Sequence, residues 1–466
     1  MFEKIINFTN DALYSYVLII LLVLGGIYFT VRTRFAQFRL IGQQFKAVTE
    51  KSDKNSVSSF QALMVSTASR VGTGNIIGVA TALCMGGFGS VFWMWVIAVI
   101  GAASAFVEST LAQIYKKRGK DGCYGGPAYY IEMATKRKWP AVIFSVFLIL
   151  TYGIGFNMLA SYNLQSTFSS YSFYNESSTP WIIGFVIAAV VCYCLIGGGK
   201  RIISVTSFLV PIMGAIYIIV AIFISLVNVK VLPEVFRQIF AGAFNFKAIF
   251  GGFGGSCVMY GIKRGLFSNE AGVGSAPNAS ASADISHPAK QGLVQMLSVF
   301  IDTLLVCTAT AFMCMSSGVT PPSSSDQAAA YVQNALSATL GKAGVVFITA
   351  SMLLFAFTTL LGNLYYVDKS INFLLGKEPG KKAKNIYYVI ASVVIFIGAG
   401  LSADLLWGIA DITMGGMTII NMPIILYLGK YAFRALKDYE KKLKHGQDVT
   451  FKAKDIDLPH ETDYWQ

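Results

Sequence analysis

The chain alternates long apolar runs with short polar links, and the runs have the length of bilayer-crossing helices, about 20 residues. They fall at 13–31, 58–85, 90–114, 139–163, 181–195, 202–227, 240–262, 293–315, 345–364, 386–401 and 405–428, eleven spans in all. The first is followed by Arg32, Arg34 and Arg39 without a small-residue cleavage site, so it reads as an uncleaved helix and not as a signal peptide. The second is interrupted in its middle by Val71-Gly72-Thr73-Gly74-Asn75. Glycines and small polar residues at bilayer depth either let helices pack closely or open the backbone toward a protein-lined site.

Lysine and arginine give the topology, because they accumulate on the cytoplasmic side of short links. The links after 13–31, 90–114, 181–195, 240–262 and 345–364 are basic, the one after 240–262 through Lys263, Arg264 and Lys290, and so is the tail from Lys430 to Lys454. The other links carry few or none. The N-terminus is therefore expected outside and the C-terminus in the cytoplasm, in the plasma membrane. Without the first helix, ten spans divide into two sets of five, and an odd number inverts the second set. The expected segments are 1–56 (extra helix and link), 57–229 (first repeat), 230–430 (second, inverted repeat) and 431–466, a charged tail read as a surface helix with a disordered end. The fold class is an all-α polytopic membrane protein with about 11 transmembrane helices, a 5+5 inverted repeat after one extra helix, and two discontinuous helices.

Composition agrees: 55% of residues are hydrophobic and 13% charged, which excludes an ordinary soluble domain. The net charge of +13 is spread over the links and forms no stripe for nucleic acid. Seven cysteines, six of them inside apolar runs, and three histidines in cytoplasmic segments suggest neither a disulfide framework nor a metal site. No cofactor is expected, and no enzyme, since the spans hold no histidine base and no Ser–Lys or paired-aspartate arrangement.

A broken helix offers amides at one end, suited to a carboxylate, and carbonyls at the other, suited to Na⁺ or an ammonium group. Thr73 and Gly74 are placed to hold a carboxylate. The carbonyls of Ala68 and Val71 are placed to hold a hard cation, with Asn75 adding an oxygen. The second set opens with Gly251-Gly252-Phe253-Gly254-Gly255-Ser256, where Phe253 marks the unwound point and Ser256 adds a hydroxyl. Thr358 and Thr359 form a hydroxyl pair of the kind alkali cations favour, although such threonines commonly bond to their own turn. Arg70, Glu108, Asp302 and Asp411 are ionisable at membrane depth; Arg70 can pair with Glu108 or Asp302, as a structural pair or a proton-coupling group. Asn269 and Glu270 read as a cap or gate loop.

The segments "ASRVGTGNIIGVATAL", "YGGPAYYIE", "GLFSNEAGVGSAPNASA", "FIDTLLVCTATA" and "LLWGIADITMGGMTIIN" resemble the alanine or glycine:cation symporter family, in order from about residue 58 to 421. The resemblance implies a leucine-transporter-type fold and symport of a small neutral amino acid with Na⁺. It implies substrate contacts at Thr73, Gly74 and Phe253 to Ser256, including Gly254 and Gly255, and sodium ligands at Ala68, Val71, Thr358 and Thr359. Two positions depart from the family pattern: Ala160 stands where a glutamine is usual and Asn363 where a tryptophan is usual. Both are smaller, which suggests a roomier or more polar pocket for a longer neutral amino acid such as glutamine, unless the alignment is displaced by one residue. Proton coupling is the nearest rival. A channel is less favoured because no selectivity-filter loop is visible.

Overall fold

Ser58 starts the first interrupted helix with a reciprocal cap: its hydroxyl accepts from Gln61 N (3.1 Å), while Gln61 Oε1 accepts from Ser58 N (3.0 Å). Helix α2 then runs over Ser59–Arg70 and stops at Val71, whose ψ of 87° leaves the helical region. The chain re-enters a helix, α3, at Gly74–Gly86. The preceding helix, α1 (Leu18–Arg32), is the expected extra one. The computed structural model describes residues 6, 8–10, 12–50, 56–119, 122–245, 257–447, 449–459 and 462–466.

Beyond α3 come α4 (Ser90–Ile114), a hairpin of β1 (Lys117–Gly119) with β2 (Gly122–Tyr124), α5 (Lys138–Ser166), α6 (Thr179–Leu195) and α7 (Gly198–Val227). The second half holds α8 (Leu232–Ala243), α9 (Cys257–Asn269), α10 (Pro277–Ser280), α11 (Pro288–Met315), α12 (Ala328–Leu340), α13 (Lys342–Leu375), α14 (Lys381–Gly398) and α15 (Ala403–Lys444). Among the described residues, α4, α5, α7, α11, α13 and α15 are long and apolar enough to cross a membrane, and α1, α3 and α6 are shorter apolar helices. The outer helix α7 shows Phe208, Ile216, Ile219 and Leu226 to its surroundings, each more than 45% exposed, as expected where lipid is the solvent. The chain is an all-α polytopic membrane protein.

Two expectations change. Lys263 and Arg264, assigned above to a basic link, lie inside α9 and are buried. They can be there because Asp411 of α15 pairs with both, at 2.9 Å and 3.3 Å; a buried charge persists where it is paired and hydrogen-bonded. The tail is also ordered where described. Its helix continues to Lys444, and the last residues pack back on the face bearing the hairpin, with Trp465 buried and its Nε1 donating to Gln113 O (2.7 Å). That side is called the tail face below.

Candidate functional site between two interrupted helices

The first interruption is held by its own sequence. Asn75 Oδ1 accepts from Gly72 N (2.8 Å), closing the non-helical turn, and Asn75 Nδ2 donates to Asp302 Oδ1 on α11 (2.7 Å). Ser268 of α9 donates to the same carboxylate (2.9 Å), as does Thr303 (2.7 Å). Asp302 thus joins α3, α9 and α11 at full burial.

A second interruption lies opposite, between α9 and α10. Glu270, Gly272 and Gly274 all have positive φ (53°, 85° and 89°), a conformation that glycine takes freely and glutamate does not. Asn269 Oδ1 caps the turn by accepting from Ala271 N (3.0 Å). Glu270 is held in place by Ser275, which donates at 2.6 Å, and by Ser69 on the last turn of α2, whose single hydroxyl hydrogen is shared between Glu270 (3.0 Å) and Asn363 Oδ1 (2.7 Å). The interruptions therefore touch: a carboxylate from one receives a hydroxyl from the other. The expected second break at Phe253, Gly254, Gly255 and Ser256 lies outside the described residues.

Helix α13 packs against the first interruption through glycines. A β-carbon on Gly362 would lie 2.6 Å from Ser69 N, and one on Gly72 would overlap Thr359 Oγ1. Thr359 is thereby set against the unwound backbone, 5% exposed, and its hydroxyl has no partner among the described residues. Thr358 donates to Leu354 O (3.0 Å) within its own turn and faces Met213 of α7. Donation leaves its oxygen lone pairs free. Ala68 and Val71 are buried at the end of α2. Asn363, one turn from Thr359, accepts from Ser69 (2.7 Å) and donates to Asn157 Oδ1 (3.0 Å).

The remaining walls come from α5, α9 and α15. Thr73 Oγ1 accepts from Asn163 Nδ2 (3.2 Å), whose Oδ1 is buried without a partner among the described residues. Gly74 lies against the ring of Phe267, and a β-carbon there would come within 2.8 Å. Phe267 packs between Phe156 (tilted, 4.4 Å) and Trp407 (edge-on, 4.8 Å), and Arg264 covers Trp407 at 3.8 Å on its way to Asp411. Ala160 is buried between Phe156 and Asn163 on one face of α5, at i, i+4 and i+7. Arg70 makes no ion pair with Glu108 or Asp302 within 4 Å. It donates instead to Gln295 (2.9 Å), and Glu108 accepts from Asn421 (3.0 Å).

Phe267, Ser69 and Asn163 were not singled out from the sequence, and Glu270 was read only as a cap or gate residue. One signal was present: Ala271-Gly272-Val273-Gly274-Ser275 echoes Val71-Gly72-Thr73-Gly74-Asn75.

A membrane helix interrupted at a buried polar centre, with an unpartnered hydroxyl enclosed by protein beside the break, defines a secondary transporter. The chain belongs to the sodium:alanine symporter family, which it matches over residues 1–453, and it is a sodium-coupled amino-acid symporter. It is 40% identical over 466 residues to the amino-acid carrier protein AlsT of Bacillus subtilis (strain 168), covering 100% of this chain and 98% of that one. It is 43% identical to the probable sodium/glutamine symporter GlnT of the same organism, over 96% of this chain and 93% of the relative. The sodium/alanine symporter AgcS of Methanococcus maripaludis is 36% identical, over 95% and 98% respectively.

Proposed function

We propose that the protein imports a neutral amino acid with Na⁺ by alternating access, binding both where the two interruptions meet. The observation that carries this reading is Thr359 Oγ1, buried, unpartnered and set against the unwound Gly72. Sodium takes the carbonyls of Ala68 and Val71 with the hydroxyls of Thr358 and Thr359, because a hard cation prefers several neutral oxygens. The amides of Thr73 and Gly74 receive the substrate carboxylate, with Asn75 holding that turn in shape. Phe253, Gly254, Gly255 and Ser256 complete the substrate contacts in this reading.

In this reading residues 57–229 and 230–430 form the five-plus-five inverted repeat of a leucine-transporter-type fold after the 1–56 segment, and joint occupancy by Na⁺ and the amino acid permits one bundle to rock about the site. The tail face, including residues 431–466, is cytoplasmic and the N-terminus is outside; with Lys263 and Arg264 removed from the link, Lys290 still marks that side.

Ala160 is smaller than the glutamine usual at its position, and Asn363 sets a carboxamide where a tryptophan is usual, so the favoured substrate is longer and more polar than alanine, of the glutamine or asparagine kind. The similarity to GlnT supports this choice. Uptake competition in proteoliposomes tests it: glutamine or asparagine is expected to displace labelled substrate at lower concentration than alanine. Alanine and glycine outcompeting every larger amino acid would overturn it.

A further inference from the structure

A second hollow lies on the tail face, away from the interruptions. It is a half-open hollow of about 980 Å³ between the β1–β2 hairpin, the start of α5 and the end of α13. Five cations from these three segments line it, Lys117, Arg118, Lys138, Lys369 and Lys377, against two carboxylates, Glu132 and Glu378. Glu378 is already ion-paired with Lys384. Among the described residues none of the five cations forms an ion pair within 4 Å; Asp368 adjoins Lys369 in the chain, and Asp463 is engaged by the backbone N–H of Arg118 (2.6 Å).

The floor of the hollow is aromatic. Tyr129 meets Phe373 edge-on at 5.1 Å, Lys117 lies over Tyr129 at 5.5 Å and Lys138 over Phe373 at 5.9 Å. Lys117, Arg118, Lys138 and Lys377 are exposed and Lys369 is partly buried, so the cations rim the hollow while two of them lie over its joined aromatic rings. The residues beside Lys138 then tell which anion fits. Trp139, Ile143 and Val146, at i, i+4 and i+7 on α5, are 59%, 40% and 43% exposed and form one apolar strip leading from the hollow into the span. Tryptophan marks the level of lipid headgroups, and basic pockets between membrane helices on the cytoplasmic side take acidic headgroups.

We propose that this hollow binds the phosphate of an anionic phospholipid, its oxygens on Lys117, Lys138, Lys369 and Lys377 and its acyl chains along Trp139, Ile143 and Val146. A bound headgroup bridges α5 and the hairpin to α13, the helix that carries Thr359 and Asn363. A free phosphate ester would share the same cations but gain nothing from the apolar strip.

The test is the thermal unfolding midpoint of the full chain in neutral detergent, with added phosphatidylglycerol, phosphatidylcholine or glycerol 3-phosphate at equal concentration. Phosphatidylglycerol is expected to raise the midpoint by several degrees more than phosphatidylcholine. Lys138→Gln with Lys377→Gln should lose at least half of that difference; Lys138→Arg with Lys377→Arg, and Lys342→Gln on the opposite face, should keep it. An equal shift from glycerol 3-phosphate would overturn the lipid assignment in favour of a soluble phosphate. No difference between the two lipids, or a full difference in the glutamine variant, would overturn the site altogether.

Discussion

Asn75 is the side chain on which the first interruption depends. Its oxygen receives the Gly72 amide and its nitrogen serves the Asp302 carboxylate, so both ends are committed to holding the turn. The sequence shows a short polar residue after two glycines, which is legible as a turn; it does not show which oxygen is left over for a cation, because that depends on partners 227 residues away. Replacing Asn75 with alanine leaves the buried Gly72 amide without its partner and removes one of the three side chains that donate to Asp302. The expected loss is about 1–3 kcal/mol, read as a lower thermal midpoint than in the wild type, and an unchanged midpoint would mean that the turn is held by other contacts. Thr358 and Thr359 divide in a similar way. They are neighbours in sequence, about 100° apart around the helix, so Thr359 faces Gly72 while Thr358 faces Met213 of α7.

Among the elements, α9 departs furthest from its sequence reading. Lys263 and Arg264 look like the basic end of a span, since a lysine–arginine pair in an apolar setting is costly. Their partner Asp411 lies on α15, and Asn10 and Tyr14 ahead of α1 join the same cluster, Tyr14 donating to Asp411 O at 3.2 Å. Only the tertiary pairing lets the helix run on to Asn269 and place Phe267 against Gly74. Asp411→Asn should therefore be among the most damaging single changes, by about 3–5 kcal/mol, because it leaves two buried cations uncompensated. Denaturation of the purified variant measures this, and a loss comparable to that of an exposed pair such as Arg237–Glu234 would contradict it. Most spans, by contrast, were legible from hydropathy, because lipid demands an apolar run wherever a helix crosses. The second described interruption was not legible by that route: it has charged residues just before it, and its glycines, 272 and 274, lie past the end of the apolar run.

At the scale of the whole molecule, the tail ties the hairpin face together. Its charged residues suggested disorder, yet a few aromatic anchors outweigh them: Phe451, Tyr464 and Trp465 pack on one another and on His287 and Lys116. His287 hydrogen-bonds Asp438 at 3.1 Å, with Lys442 and Lys290 also nearby. Burial lowers the His287 pKa below its ordinary 6.5, partly offset by Asp438. The packed tail thus binds this proton less readily than the released one, so the stability from His287 is full above pH 6.5 and is lost as pH falls below it. Acidification from pH 7.5 toward 5 is expected to raise protease cleavage of the tail in the wild type more than in His287→Gln, and equal responses would remove His287 from the linkage.

The central claim is that Na⁺ and the amino acid meet at the first interruption with Thr359 as a ligand. Its most direct test is the Na⁺ dependence of amino-acid uptake in proteoliposomes holding the wild type, Thr358→Ala or Thr359→Ala. The account predicts Na⁺-driven uptake whose half-saturating Na⁺ concentration rises in both variants, by about tenfold or more in Thr359→Ala, the equivalent of about 1.4 kcal/mol of lost ion binding. Unchanged Na⁺ dependence in both variants would contradict it.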